Sequence, residues 1–335
     1  MQGFETEYRL TRADPAMRFF IFALRTATEA AAQAAFEWIG RGDKEMGDKA
    51  AVSALRRALN QLPIDGTIVI GEGEKDEAPQ LYNGERVGNP DAPAKLDIAV
   101  DPVEGTSYLA MGLTNAMVVI AMVPRGTMFS PGPAFYMEKF AAPPAAKGQI
   151  DMAWPVERKL KKLAEILGKP VSRLTVFVLE KPRHRRLVEE IHAAGARVMQ
   201  YPAGDVAGAL MAAIPDSAVD ALMGTGGTPE GILSACAIRA LGAEFMGRLD
   251  PQLATEAAAV KRAGMDTQHW YRVEELVRSP EALFCATGIT SGLLLDGVER
   301  AETYDRLQSL MISGITGERQ ILTSYLPATV SSKTA

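Results

Sequence analysis

The stretch "LDIAVDPVEGTSYLAMG", residues 96–112, runs an apolar, strand-like segment straight into Asp101, Glu104 and Thr106. Carboxylates placed this way can hold a hard divalent cation through oxygen, and a threonine hydroxyl can orient a water molecule. A solvated turn uses the same residue types, since Asp, Pro and Gly favour turns. Other acids weigh on the choice. Asp48 stands at the start of a helical stretch, Glu72 and Glu74 follow the apolar "TIVIG" (67–71), and Glu230 sits in "GTGGTPEG" (224–231). Each alone is an ordinary surface acid. Several acids at consecutive strand ends repel one another and require a compensating cation, and an oxygen-only ligand set suits Mg²⁺ or Mn²⁺. Zinc is a poor match, because His184, His192 and His269 lack ligand spacing and Cys236 and Cys285 stand apart.

The chain also carries features suited to an anion. "KPRHRR" (181–186), "PAGD" (202–205) and the Gly-rich 224–231 segment each follow a strand-like run and open a helical one. Helix N-termini attract phosphate through free N–H groups and the macrodipole, and ligands of open parallel sheets gather beyond the strand carboxyl ends. Lys181 and Arg183 oppose that dipole at a strand end, which points to an anionic ligand; Arg185 and Arg186 fit a solvated turn equally well. Metal and phosphate together suggest phosphoryl transfer, where paired cations can activate water and clamp the attacking and leaving oxygens. Covalent routes read poorly. Gly242 and Ser291, not arginines, stand six residues after the cysteines, "RHRR" lacks the glycine of a histidine-phosphatase signature, and no G-x-x-x-x-G-K-[ST] loop occurs.

The elements that must hold these residues fall into two patterns. "ADPAMRFFIFALRTATEAAAQAAFEWIG" predicts a long helix with Asp14 as N-cap, Pro15 in the first turn and Gly40 as the stop. A second helix follows over "DKAAVSALRRALNQL", with Val52, Leu55 and Leu59 on one stripe. Strands at 67–71, 96–101 and "TNAMVVIAMVP" complete an α+β first lobe over residues 1–155, with "AAPPAAKGQIDMAWP" as linker. Beyond it, strand and helix patterns alternate strictly ("LTVFVLE", "RRLVEEIHAAG", "ARVMQY", "DVAGALMAAI", "AVDALM", "PEGILSACAIRALG"), which predicts a β-α-β second lobe over 156–335 on a mainly parallel sheet. Its tail is expected to fray from about residue 327. The chain is thus an α/β protein of 335 residues, long enough for two cores. A net charge of −5 argues against a general nucleic-acid binder, no apolar run approaches a membrane span, and a charged N-terminus without the apolar stretch of a signal peptide, with two isolated cysteines, fits an expected place in the cytoplasm.

"DPVEGT" resembles the D-P-[IVL]-[DE]-G-T element of the metal-dependent, lithium-sensitive sugar and inositol phosphatases. The longer segments "GRGDKEMGDKAAV", "DGTIVIGEGEKDEAPQLYNGERVG", "DIAVDPVEGT", "YMEK", "GKP…LTVFVLEKPRH" and "GGTPEG" are similar to one branch of them. That branch is class II fructose-1,6-bisphosphatase, including enzymes that also hydrolyse sedoheptulose 1,7-bisphosphate, and the similarity spans roughly residues 25–325. The resemblance implies a layered sugar-phosphatase fold with the site between the lobes, a Mg²⁺ or Mn²⁺ requirement, a sugar-bisphosphate substrate and a homo-oligomer, dimer or tetramer. By position it assigns Asp48, Glu72, Asp101, Glu104 and Glu230 to metal, and Thr106 with Asp48 to orienting the attacking water. Tyr136, Lys181, Arg183, Ala203, Gly204, Asp205 and Gly227 become substrate contacts, together with Glu104, Thr106 and Gly105, the last beside the scissile phosphate. On this reading Pro102 ends the strand so that Asp101 stays at its tip. The family commonly has P-D-G-D where this chain has "PAGD"; Ala203 offers no carboxylate to a sugar hydroxyl and leaves space for water, which bears on the choice between fructose and sedoheptulose bisphosphates. A catalytically idle phosphosugar-binding regulator is the rival from another class, and the intact acids and Thr106 argue against it.

Overall fold

Residues 15–72, 80–215 and 217–327 are described in the computed structural model; Asp14 and Glu74 lie outside them. Helix α1 (Pro15–Phe36) stops a turn before Gly40, whose N–H donates to Leu109 O at 2.9 Å with φ +72°, so this glycine ties the chain to a later helix and does not cap α1. Helix α2 (Lys44–Leu59) is capped by Asp43, whose carboxylate accepts the Met46 N–H at 3.0 Å. It therefore begins a turn ahead of Asp48, because an Asp with extended backbone meets the free N–H groups of the first turn better than a residue already in helical conformation. Val52, Leu55 and Leu59 are buried on one stripe, as their spacing predicts.

Strands β1 (Ile64–Ile70), β2 (Arg86–Gly88), β3 (Ala94–Glu104), β4 (Met117–Pro124), β11 (Leu283–Gly288), β12 (Glu299–Arg300), β13 (Tyr304–Ser313) and β14 (Arg319–Pro327) form the first sheet. Its order is β12-β13-β11-β4-β3-β1-β2, with β14 on the other side of β13 and only β1–β3 parallel. The second sheet has the order β10-β9-β5-β8-β6-β7, from β5 (Tyr136–Ala142), β6 (Thr175–Leu179), β7 (Arg197–Tyr201), β8 (Ala221–Gly227), β9 (Glu244–Leu249) and β10 (Tyr271–Arg272). Only the β6–β7 and β6–β8 pairs are parallel, so the expected mainly parallel sheet is in fact mixed. The alternation of strand and helix after residue 170 does produce the parallel pairs. β5, from earlier in the chain, then enters antiparallel between β8 and β9 and ends the parallel run. Local periodicity carries no information about such an insertion.

Five layers result. α1 and α2 cover the outer face of the first sheet, joined by α3 (Thr106–Met111). Between the two sheets lie α6 (Asp205–Ala213) and α7 (Thr228–Leu241); α7 packs on both, while α6 packs on the second and meets β3 through the Val206 N–H donated to Glu104. Every residue of α6 is buried, which follows from a sequence with no polar face: a helix that is apolar all round must be covered on all sides. α4 (Val156–Leu167) and α5 (Arg185–Ala193) cover the outer face of the second sheet with their apolar stripes, Leu160, Leu163 and Ile191 among them. Three apolar cores fill the four spaces between these layers, because one of them runs from the first sheet through the central helices to the second sheet. Cys236 and Cys285 are buried and unlinked, and burial pushes both thiols up, so neither offers a nucleophile. Among the described residues, no helix is long and apolar enough to cross a membrane.

Candidate active site

Asp101 and Glu104 lie on β3, which does not end at Pro102 but continues to Glu104 through a shift of register against β4. A proline is tolerated there because the irregular segment does not call on its missing N–H. The Asp101 carboxylate instead accepts the Val103 N–H at 3.1 Å, closing the kink. The bulge lets both acids face one site: Asp101, Glu104 and Glu230 each bring a carboxylate oxygen within 4.8 Å of the others. Glu230 comes from the first turn of α7, so the cluster joins the first sheet to the helix layer. Withdrawal from water pushes Asp101 well up, with Glu104, Glu72 and Glu230 adding repulsion. It pushes Glu104 up to about 8, helped by Asp205 and Glu230. Acids held together at this cost fit an oxygen-coordinated divalent cation, which would restore all of them to carboxylates.

Glycines make room for the cluster. A Cβ on Gly227 would lie 1.8 Å from Glu230 Oε2, and one on Gly226 would lie 2.1 Å from Asp205 Oδ2. Asp205, expected to touch substrate, is buried at the start of α6 and accepts a hydrogen bond from Lys139 Nζ at 2.5 Å. Lys139 is 2 % exposed and faces the same helix layer from β5. Sequence reasoning passed over it. The signal was present in "YMEKFAA", where a lysine occupies an inward position of an otherwise apolar strand.

Tyr136 opens β5 directly opposite Gly227 in the β5–β8 register. The Arg183 guanidinium stands 5.2 Å from the Tyr136 ring centroid and donates from Nε and Nη2 to Thr225 O at 3.0 and 2.8 Å. His184, buried beside it, accepts the Thr225 N–H on Nε2 at 2.8 Å and lies 2.7 Å through Nδ1 from Leu179 O, which fixes the Nδ1–H tautomer. Burial holds this imidazole below its usual range, so it stays neutral. Arg183 therefore has a structural contact besides its expected one, while Lys181 is exposed at the end of the same strand. Glu256 adds a further hold that sequence reasoning did not find: its Oε1 accepts the N–H groups of Phe135 and Tyr136 at 2.6 and 2.8 Å.

Thr106 begins α3 directly after Gly105, whose φ of +88° only glycine adopts cheaply. Asp48 is half-buried on α2, where its neighbour Gly47 packs so close to Leu109 of α3 that a Cβ would lie 2.6 Å from Leu109 Cδ2. Glu72 follows β1 and donates its N–H to Leu81 O at 3.0 Å, and its charge reaches Asp101. Ala203 is half-buried. It packs against the core that contains Tyr108, whose hydroxyl donates to Ala203 O at 3.1 Å and accepts the Ala203 N–H at 2.9 Å.

Residues 18–326 match the model of the bacterial, glpX-encoded fructose-1,6-bisphosphatase family. The chain belongs to that family. Curated relatives include fructose-1,6-bisphosphatase 1 class 2 of Escherichia coli (strain K12) and fructose-1,6-bisphosphatase class 2 of Shigella flexneri. Each is 46% identical over 300 residues, covering 86% of this chain and 89% of the relative. Among solved structures, an extragenic suppressor from Pyrococcus furiosus superposes with a TM-score of 0.32 at 11% identity, over 57% of this chain and 69% of that one, a likeness too low to define the fold. For a bisphosphatase family the gathered acids have an evident use: a phosphate ester brings negative charge to a site that is already negative unless cations stand between.

Proposed function

We propose that this class II family member hydrolyses the 1-phosphate of fructose 1,6-bisphosphate, giving fructose 6-phosphate and phosphate. The observation that carries the reading is the Asp101–Glu104–Glu230 cluster, within 4.8 Å, in a chain matched to the family over residues 18–326. Asp48, Glu72, Asp101, Glu104 and Glu230 would hold Mg²⁺ or Mn²⁺, which when bound offsets the charge of the acids and phosphate and makes water a better nucleophile. Asp48 and Thr106 orient the attacking water and take its proton. Gly105 lets the chain pass close to the scissile phosphate. Lys181 and Arg183 meet the distant phosphate, with Tyr136 beside it, and Gly204, Asp205 and Gly227 border the sugar. We place the enzyme in the cytoplasm as a homo-oligomer, serving gluconeogenesis or the Calvin cycle, within the wider lithium-sensitive phosphatase group.

The test is phosphate release from fructose 1,6-bisphosphate with Mn²⁺ or Mg²⁺, stopped by chelator and not restored by Zn²⁺ alone. Full activity in metal-free buffer would overturn the metal reading, and fructose 1-phosphate as product would overturn the regiochemistry. One observation favours a second reading, a dual or sedoheptulose-directed bisphosphatase: Ala203 presents a methyl group at a position where the family commonly has a carboxylate. Comparing kcat/KM for the two bisphosphates decides between them, with values within about tenfold expected for a dual enzyme.

A further inference from the structure

Tyr108 lies outside every role assigned above, yet its contacts join the two parts of the site. It belongs to α3, one turn after Gly105 and Thr106, and is 4 % exposed. Its phenol reaches residue 203, beyond β7, and engages both polar groups of one residue: it donates to Ala203 O at 3.1 Å and accepts from Ala203 N–H at 2.9 Å. A hydroxyl used once as donor and once as acceptor on the same residue fixes that residue in position along two directions. The ring also lies beside glycines on both segments: a Cβ on Gly105 would come within 2.8 Å of Tyr108 Cδ2, and one on Gly204 within 3.9 Å of Cε2. A second hydrogen bond crosses the same gap, from Val206 N–H to Glu104 Oε1 at 3.4 Å. Residues 203–206 are thus held against the segment 104–108 at both ends.

We propose that Tyr108 is a positioning residue for sugar recognition: its hydroxyl sets the 203–205 loop at a fixed distance from the reacting end of the site, using the backbone of Ala203 and no side chain of the loop. The inference rests on the reading that residues 203–205 border the sugar. Alanine at 203 offers no side-chain hydrogen bond of its own, so the phenol holds its backbone, while Lys139 holds Asp205 at the other end of the loop. Loss of the hydroxyl leaves two half-covered peptide groups to find water, so the loop shifts. The sugar end of the ligand then loses contacts that the phosphate end keeps.

The experiment uses the Mn²⁺-loaded enzyme and its two products as inhibitors, because fructose 6-phosphate needs the sugar contacts and inorganic phosphate does not. Tyr108→Phe keeps the ring and removes the hydroxyl. KM for fructose 1,6-bisphosphate and the inhibition constant of fructose 6-phosphate should each rise about tenfold, the scale of leaving polar groups unpaired. The inhibition constant of phosphate should stay within about twofold, and most of the change should fall on KM and little on kcat. Equal weakening of both inhibitors, or a fall confined to kcat, overturns the proposal by assigning Tyr108 to general support of the metal site. Unchanged constants overturn it as well. Ala203→Leu tests the underlying reading separately: it should weaken fructose 6-phosphate and spare phosphate. If it leaves fructose 6-phosphate binding intact, the loop does not border the sugar and both statements fall; if it weakens that binding while Tyr108→Phe does not, only the role of Tyr108 falls. Should the phenylalanine variant not fold, Tyr108→His, which can keep one of the two hydrogen bonds, is expected to show a smaller rise in the same constants, and its absence counts against the proposal.

Discussion

A threonine and an aspartate make a proton-transfer pair only when a water lies between them, so their worth shows in turnover. Thr106→Ala is expected to lower kcat by roughly 10²–10⁴ with KM little changed, the range for losing a positioned proton-transfer group. Asp48→Asn should cost about as much, and the double variant far less than the product of the two. Wild-type turnover in Thr106→Ala would remove the pair from the mechanism. The two basic residues at the end of β6 separate differently. Lys181→Ala and Arg183→Ala should each raise KM for a bisphosphate about 10–100-fold, the worth of one charge-assisted hydrogen bond. Arg183 also holds Thr225 O through two hydrogen bonds, so only Arg183→Ala should lower the melting temperature appreciably. A melting curve for each variant beside its KM checks this, and an equally large thermal loss in Lys181→Ala would contradict it.

At the scale of elements, the site depends on how closely strand ends and helix starts can approach. Glycine stands on β8 where β5, α6 and α7 crowd it and also directly after β1, and the close contacts fall into two kinds. At Gly71, before Glu72, a Cβ would lie 1.9 Å from the backbone oxygen of Leu81, which cannot yield without moving the main chain. At Gly227 it would meet the end of the Glu230 side chain, which can swing away. Gly227→Ala should therefore spare the fold and displace Glu230, the proposed metal ligand. The Mn²⁺ concentration needed for half-maximal activity is expected to rise about 10–100-fold, as when a residue supporting a metal ligand is lost, with the melting temperature of the chelator-treated protein nearly unchanged. Titrating activity against Mn²⁺ and melting the metal-free variant give both halves of the test. A large thermal loss with normal metal dependence would mean that Glu230 does not move.

For the whole molecule, the acid cluster couples stability to pH and to metal. In the metal-free protein Glu104 keeps its proton up to about 8, against an ordinary value of 4.5, and Asp101 is shifted in the same direction. Between those limits the folded chain binds more protons than the unfolded chain, so stability must fall as pH rises through that window. Below it both states are protonated and the contribution is complete. Bound cation reverses the sign, since ligation needs the carboxylates ionised and stabilises only the folded state. Calorimetry should show the chelator-treated protein melting lower at pH 8 than at pH 5, and the gap between metal-loaded and metal-free melting temperatures widening as pH rises. A gap that narrows over this range would remove the cluster as the metal site.

Part of the candidate site was legible in the sequence because it is written in residue types at short range. "DPVEGT" brings Asp101, Glu104 and Thr106 within six positions, and the strand–loop–helix pattern around 181–186, 202–205 and 224–231 places these polar or Gly-rich loops at strand ends. Apolar periodicity likewise identified most of the strands and helices, and the unbroken apolar run of α6 already required burial on all sides. The sequence could not say which strands pair across long separations. Pairing energy depends on the register and burial of two distant segments, so nothing local marks β5 as the strand that enters the second sheet antiparallel, or β11 as a neighbour of β4. Three details of the site are of this kind: the bulge that carries β3 past Pro102, the buried Lys139–Asp205 pair, and the Tyr108 hydroxyl closing on Ala203. Each joins groups brought together by packing, and a contact between residues 95 positions apart exists only once the layers between them have formed.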